Sequence, residues 1–337
     1  MDNTLTQEQL DNLKRELEQA GIPFDGSFLN PVNSNEYISS IFSHITIPEI
    51  EEKIANFQKI ELETISDKDL ATAIADVMNI DVRGQKRQIF LPQGCIYPAG
   101  TRFYRTRIVN TEDLDQFSSI GAYWNPPKEC ISKPGRLNKV HESLLYTSLN
   151  YETTFSELKI QSNQTFALIV YEALEPIKMT IIGADKDISE LSENVNRKYQ
   201  LFNSFLREEF TREVQPGFEH LYKVSEYIAK FYFDLPPRDI QDAWMYPSVA
   251  SKGAYNVCFR PEIAKEVLKL GGVIIGRMIT LKNGTFQCLL IGKVDSDNNM
   301  SFTKCNSPLM EELFPEFILI NDRNRHPSQN EPGVPIK

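Results

Sequence analysis

Gly135-Arg136-Leu137-Asn138-Lys139-Val140-His141-Glu142-Ser143-Leu144-Leu145-Tyr146-Thr147-Ser148-Leu149-Asn150-Tyr151-Glu152-Thr153-Thr154-Phe155-Ser156-Glu157 compresses a glycine-arginine turn, a short strand and a helix start into very little chain. Leu144, Leu145 and Tyr146 suit a buried strand. Asn150 suits the N-cap of the next helix, with Glu152 favourable in its first turn. Phe155 and Leu158 are expected to point to the core. Glu157, one turn beyond Thr153 and Thr154, then falls at the edge of the apolar face, at the mouth of a cleft. A lone glutamate there is ordinarily a solvated helix residue; its reading as a site residue depends on companions elsewhere in the chain.

The remaining composition sets bounds. A chain of 337 residues holds one large domain or two smaller ones, and 41% hydrophobic with 24% charged residues is ordinary for a globular protein. A formal charge of −10 argues against general nucleic-acid binding while leaving room for a local basic pocket. Five cysteines without CxxC spacing fit reduced thiols better than a disulfide framework or zinc site, and four scattered histidines suggest no metal. No apolar run spans a bilayer, and Met1-Asp-Asn-Thr-Leu-Thr6 lacks the basic and apolar regions of a signal peptide. The expected location is cytoplasmic, with no membrane partner.

Working outward, residues 5–21 read as a helix, Pro48 suits a helix start, and Ser66 caps a helix carrying Leu70, Ile74 and Met78 on one face. Residues 1–85 are thus expected to be a small helical region. The texture changes at Ile89. Thr101 to Val109 reads as a strand with Arg102, Tyr104 and Thr106 on one face and Phe103, Arg105 and Arg107 on the other. Arginine on a core-facing row calls for an anionic partner, either a protein carboxylate or a ligand phosphate. Phe166 to Ile182 holds two strands, and Asp187 to Phe210 and Phe218 to Phe233 are helical, the latter with Leu221, Val224, Ile228 and Phe231 on its core side. Pro236 to Trp244 reads as a short helix leading to Pro247 and Ser248. Strands follow at Tyr255 to Phe259 and Val273 to Thr280, with a hairpin turn at Lys282-Asn283-Gly284. The polar tail after Asn321 is expected to fray.

Five polar residues sit awkwardly in a purely structural account: Arg105, Arg136, Tyr146, Glu157 and Ser248. Two arginines can clamp a pyrophosphate bidentately, and a tyrosine can face a heteroaromatic ring. A carboxylate can stabilise positive charge at an anomeric carbon, and a serine can position the sugar. Trp124 and Trp244 read as packing anchors, His141 as a turn residue rather than a general base, and Cys130 and Cys258 as inert thiols.

The order Tyr104-Arg105-Thr106-Arg107, Gly135-Arg136-Leu137-Asn138, Leu145-Tyr146-Thr147-Ser148, Thr154-Phe155-Ser156-Glu157, Tyr246-Pro247-Ser248 and Asn256-Val257 resembles the RES domain, over roughly residues 90–280. That family is named for arginine, glutamate and serine and comprises NAD-degrading toxins of bacterial toxin–antitoxin pairs. The resemblance implies an α+β, ADP-ribosyltransferase-like fold with a mixed β core and flanking helices. The domain would occupy 86–295, with a helical insertion at about 185–233 and a carboxy-terminal extension at 296–337. It implies Glu157, Arg105 and Tyr146 as catalytic residues, and Arg105, Arg136, Asn138, Tyr146 and Ser248 as NAD-binding, with no metal and NAD as substrate rather than cofactor. Residues 1–85 and the insertion depart from the family's small toxins; the insertion can be a lid, a partner surface or an autoinhibitory element.

Three functions are carried forward. The first is NAD glycohydrolase or phosphorylase activity in a toxin or defence effector, with an antitoxin, a regulatory protein or a second copy as further partners. The second is transfer of ADP-ribose to a macromolecule, and the third a catalytically silent NAD-binding scaffold.

Overall fold

Local signals already present in the chain set the amino-terminal helices. The computed structural model describes residues 34–89, 92–109, 117, 119–183, 191–280, 285–315, 317 and 334–335. Helices occupy Ser34–Phe42 (α1), Ile47–Gln58 (α2) and Asp67–Met78 (α3). Thr46 and Glu49 close a capping box around the start of α2, with Pro48 in its first turn. Ser66 Oγ accepts from Asp69 N at 3.1 Å to cap α3. Their buried stripes, including Ile50, Phe57, Leu70, Ile74 and Met78, enter a cluster with Phe202, Phe205, Ile228 and Trp244. The helices therefore share a core with the rest of the molecule. The all-helical expectation fails at its end, where Asn79–Val82 (β1) and Gln85–Gln88 (β2) pair as an antiparallel hairpin. The helix expected at 5–21 and the turn at 282–284 lie outside the described residues.

The centre of the fold is an eleven-stranded mixed sheet. Its strands are Gln93–Tyr97 (β3), Arg102–Ile108 (β4), Leu145–Ser148 (β5), Thr165–Ala173 (β6), Ile177–Ile181 (β7), Ala243–Pro247 (β8), Tyr255–Phe259 (β9), Leu268–Thr280 (β10), Thr285–Val294 (β11), Met300–Lys304 (β12) and Val334–Pro335 (β13). They lie in the order β12-β11-β10-β6-β4-β5-β9-β8-β7-β3-β13. The β7–β8 pair is parallel and the others antiparallel. The strands on either side of the β4–β5 junction meet through a single residue pair, Tyr104 opposite Ser148. Residues from both halves, including Phe103, Ile169, Tyr171 and Val273 on one side and Leu145, Met179, Met245 and Phe259 on the other, form one buried cluster. The sheet is therefore folded over on itself, with that cluster as filling.

Helices cover the outer faces, making the fold α+β. Tyr151–Glu157 (α4) and Ser307–Leu313 (α8) lie over the β4–β6–β10–β11 half, where Phe155, Phe166, Leu168, Ile274 and Phe314 pack. Glu193–Thr211 (α5) and Tyr222–Tyr232 (α6) cover the β5–β9–β8 half together with α1 to α3. Pro261–Val267 (α7) connects β9 to β10. The sheet runs on beyond residue 295 through β12. The tail after Asn321 lies outside the described residues except for Val334–Pro335, which pairs with β3. Among the described residues no helix is long and apolar enough to cross a membrane.

Three local expectations are corrected. Leu158 is exposed because α4 ends at Glu157 and the chain turns away, leaving Phe155 on the core side beside buried Thr153 and Thr154. Phe231 is exposed and stacks on Tyr227, 4.1 Å between ring centroids, so that pair forms an outer face of α6. Pro236 to Trp244 is not helical. Buried Gln241 accepts from Leu235 N at 2.9 Å and donates to Phe233 O at 2.9 Å, and Asp242 accepts from Lys178 N at 2.8 Å. Those side-chain bonds hold a turn that feeds β8 into register beside β7.

Candidate functional site

The Gly-Arg-x-Asn turn is built around one phenol. Tyr146, on β5, donates its hydroxyl to Asn138 Oδ1 at 2.7 Å and accepts from Leu137 N at 3.1 Å. Gly135 N donates to Asn138 O at 2.9 Å and closes the turn. A Cβ at position 135 would sit 2.4 Å from Asn138 Oδ1 and 3.3 Å from the Tyr146 hydroxyl, so glycine is required by the close approach. Burial pushes the Tyr146 phenol well above the usual tyrosine range, with Cys258 and Tyr246 acting the same way; the Leu137 amide and Arg136 oppose them. Tyr146 is thus a neutral post that fixes the loop carrying Arg136.

Arg136 projects from this loop onto the end of α5. Its guanidinium donates to Glu209 O at 3.3 Å and Arg212 O at 3.0 Å, carbonyls at the negative end of the helix. It also lies over the Tyr222 ring, 5.2 Å from the centroid. The backbone of Arg136 is anchored as well, its carbonyl accepting from Ser225 Oγ at 2.8 Å.

Glu157 closes α4, whose N-cap is Asn150 as the sequence predicts, accepting from Thr153 N at 3.2 Å. The buried contact between Thr154 and Thr106 hydroxyls, 2.5 Å apart, seats the helix on β4. Glu157 Oε1 then accepts two hydrogen bonds, from Ser248 Oγ at 2.6 Å and from Asn256 Nδ2 at 2.8 Å. Ser248 is buried, and its hydroxyl also accepts from Ser251 N at 3.0 Å. That second bond aims the hydroxyl proton at the carboxylate. Ser248 and Asn256 come from the end of β8 and from β9, in which Tyr246 and Asn256 are directly paired. Glu157 itself is exposed, and its Oε2 has no hydrogen-bond partner among the described residues.

Tyr246 links the two clusters. It is buried against Phe210, 6.0 Å between rings. Burial pushes its hydroxyl well above the tyrosine range; Cys258 and Glu157 add to this while Arg136 opposes it. The hydroxyl therefore stands within electrostatic reach of both the carboxylate and the guanidinium, and stays protonated near neutral pH.

Of the residues marked in the sequence, the structure brings Glu157 to Ser248, and Arg136 to Asn138 and Tyr146, on the outer side of the sheet. It does not bring Arg105 to them. Thr106 and Tyr104 face α4, so Arg105 faces the interior of the folded sheet. There its guanidinium donates to Trp124 O and bonds the Tyr171 hydroxyl, beside Arg107, which donates to Ala122 O at 2.7 Å. The core-facing arginines thus find main-chain carbonyls of a short turn rather than the carboxylate or phosphate expected from their position.

Tyr246 and Asn256 were not marked as site residues. Their place on paired strands, with period-two spacing from Ser248 and Cys258, was the available signal. Trp244 is a packing anchor, buried with its Nε1 donating to Phe233 O at 3.0 Å, and His141 sits in a turn with φ of 61°. Cys258 is buried, which pushes its thiol well above the usual range. Among the described residues no group of three or more His, Cys, Asp or Glu can hold a metal ion.

The arrangement offers an anion-stabilising guanidinium, neutral phenols, and a carboxylate with one oriented and one free oxygen. No protein-family model matches the chain, and no curated protein matches it.

Proposed function

We propose that the chain cleaves the bond between nicotinamide and ribose in NAD. The observation that carries this reading is the double hydrogen bond from Ser248 and Asn256 to Glu157 Oε1, which leaves Oε2 free and aimed by its partner oxygen. As the C–N bond breaks, its electron pair goes to the nicotinamide nitrogen and positive charge builds at the ribose anomeric carbon. Glu157 Oε2 stabilises that charge directly or through a ribose hydroxyl. Water then adds to the anomeric carbon and loses its proton, giving ADP-ribose and nicotinamide; phosphate in place of water gives the phosphorylated sugar. Arg136 supplies charge for the diphosphate, and Tyr146 holds the Arg136 loop. The residue order resembling the RES domain supports the same reading, as does a mixed sheet folded over a central filling, which suits an ADP-ribosyltransferase-like fold.

Transfer of ADP-ribose to a macromolecule is a second reading, favoured by the exposure of Glu157, which leaves its free oxygen open to a large acceptor. Incubation of the purified chain with NAD, with and without phosphate or candidate acceptors, separates these readings by product. Free ADP-ribose marks hydrolysis, its phosphorylated form phosphorolysis, and a labelled acceptor transfer. Absence of nicotinamide release under all conditions contradicts the proposal.

A further inference from the structure

The last turn of α5 carries a carboxylate whose surroundings a structural role does not account for. Glu209 is 4% exposed. Its Oε1 pairs with an Arg212 guanidinium nitrogen, while its buried Oε2 has no hydrogen-bond partner among the described residues. An orphaned buried carboxylate oxygen costs stability. Burial raises its pKa and Glu208 adds to that, while Arg212 and Arg136 oppose the shift. Arg136 meanwhile is bonded to the main-chain carbonyls of Glu209 and Arg212 themselves, at 3.3 and 3.0 Å. The next residue, Glu213, pairs with Lys159 at 3.1 Å, only two positions past Glu157. The segment after α5 thereby meets the turn that follows the helix bearing the proposed catalytic carboxylate.

We infer that Arg212, rather than Arg105, is the second guanidinium of the diphosphate site with Arg136, and that Glu209 is an internal anion which the substrate's phosphate displaces. The inference rests on the NAD reading for the identity of the substrate, though not for the anion site itself. A diphosphate has enough oxygens to accept from both guanidinium groups at once, which the single carboxylate does not. Nothing in the motif order marked Arg212, because it lies in the helical insertion. The insertion thus supplies a binding residue and holds it occupied until substrate arrives.

The test is calorimetric titration of the full chain with inorganic pyrophosphate, alongside the KM for NAD, for the wild type, Arg212→Gln, Glu209→Gln and Glu209→Asp. Melting temperature serves as the check on folding. Losing one charge-assisted contact is expected to weaken pyrophosphate binding about tenfold or more in Arg212→Gln, with KM rising in parallel. Glu209→Gln is expected to tighten binding by a similar factor. If that variant fails to fold, the shorter carboxylate of Glu209→Asp, reaching Arg212 less well, is expected to tighten it by a smaller one. Pyrophosphate binding indifferent to Arg212→Gln, failure of the folded Glu209 variants to tighten it, or no binding by the wild type overturns the inference. If pyrophosphate binding depends on Arg212 but no nicotinamide is released, the anion site stands and the NAD reading falls. If nicotinamide is released with a KM blind to Arg212, the reverse holds.

Discussion

Replacing Gly135 by alanine tests whether the Gly-Arg-x-Asn turn is held by the Tyr146 phenol. The new Cβ would begin 2.4 Å from Asn138 Oδ1, which must move by most of an ångström to reach ordinary contact. Asn138 has little freedom to do so. It is 5% exposed, its Nδ2 donates to Lys139 O at 2.9 Å, and its Oδ1 accepts the Tyr146 hydroxyl at 2.7 Å. The shift breaks that last bond and leaves a buried acceptor unsatisfied, which costs about 1–3 kcal/mol. About 2 kcal/mol is the expected loss in urea unfolding, read from the midpoint at constant slope. Tyr146→Phe removes the same bond from the other side, together with the one from Leu137 N, and should cost at least as much. The two effects are then not additive, the double variant costing little more than Tyr146→Phe alone. Nicotinamide release should fall with the loosened loop, because Arg136 is no longer held over the end of α5. A Gly135→Ala change within about 0.5 kcal/mol of wild type, or full additivity with Tyr146→Phe, would refute the reasoning.

Three further outcomes follow from the geometry. Arg105→Gln strands the Trp124 carbonyl inside the sheet, while the Tyr171 hydroxyl keeps its bond to Tyr123 O, and should cost about 1–3 kcal/mol of stability with KM for NAD nearly unchanged; a raised KM at unaltered stability would place Arg105 on the substrate. Ser248→Ala removes one of two donors on Glu157 Oε1, so kcat should fall by about one to two orders of magnitude while KM stays within a few-fold; a kcat equal to wild type would show that Asn256 alone suffices. Deleting residues 34–78 strips the ring partners of Phe202 and Phe205, the other buried side chains of the shared cluster, and the Phe42 carbonyl that Lys198 Nζ donates to at 2.8 Å. Buried side chains of that size contribute about 1.5–3 kcal/mol each, so several lost together exceed the stability of an ordinary domain and the truncated chain should be insoluble; a soluble, cooperatively unfolding product would contradict a shared core.

How much of this was legible in the sequence depended on how local the cause was. Thr46, Ser66 and Asn150 cap helices through bonds three residues away, and those starts were readable or nearly so. The strand at Thr165–Ala173 carries an apolar run that needs no partner to be recognised. The stretch from Pro236 to Trp244 misleads because its deciding bonds are distant. Asp242 reaches Lys178 in β7, and nothing local to the segment says so. Leu158 and Phe231 fail for a related reason, since a stripe continues in sequence after the helix or its neighbour has stopped.

The site divides along the same line. Glu157 and Ser248, 91 residues apart, were marked through a motif order, and the structure puts their side chains in contact. Arg105 was marked by the same motif order and by the premise that a core-facing arginine needs an anion. The carbonyl row of the turn at 120–124 satisfies it instead, and that turn has no signature beyond a glycine and an aromatic pair. Asn256 and Tyr246 lie in the quoted motif order, but their place beside Glu157 and Arg136 depends on strand register, and that of Glu209 and Arg212 on the packing of α5, which spacing does not record.

The most direct measurement is nicotinamide release from NAD by the wild type and by Glu157→Gln, each shown to be folded by its melting temperature. The amide keeps the size of the side chain and can still receive both hydrogen bonds at its oxygen, but it carries no charge to set against a developing cation. The account predicts steady release by the wild type and loss of about three orders of magnitude or more in the variant. Equal release by both proteins, or none by the wild type, would contradict it.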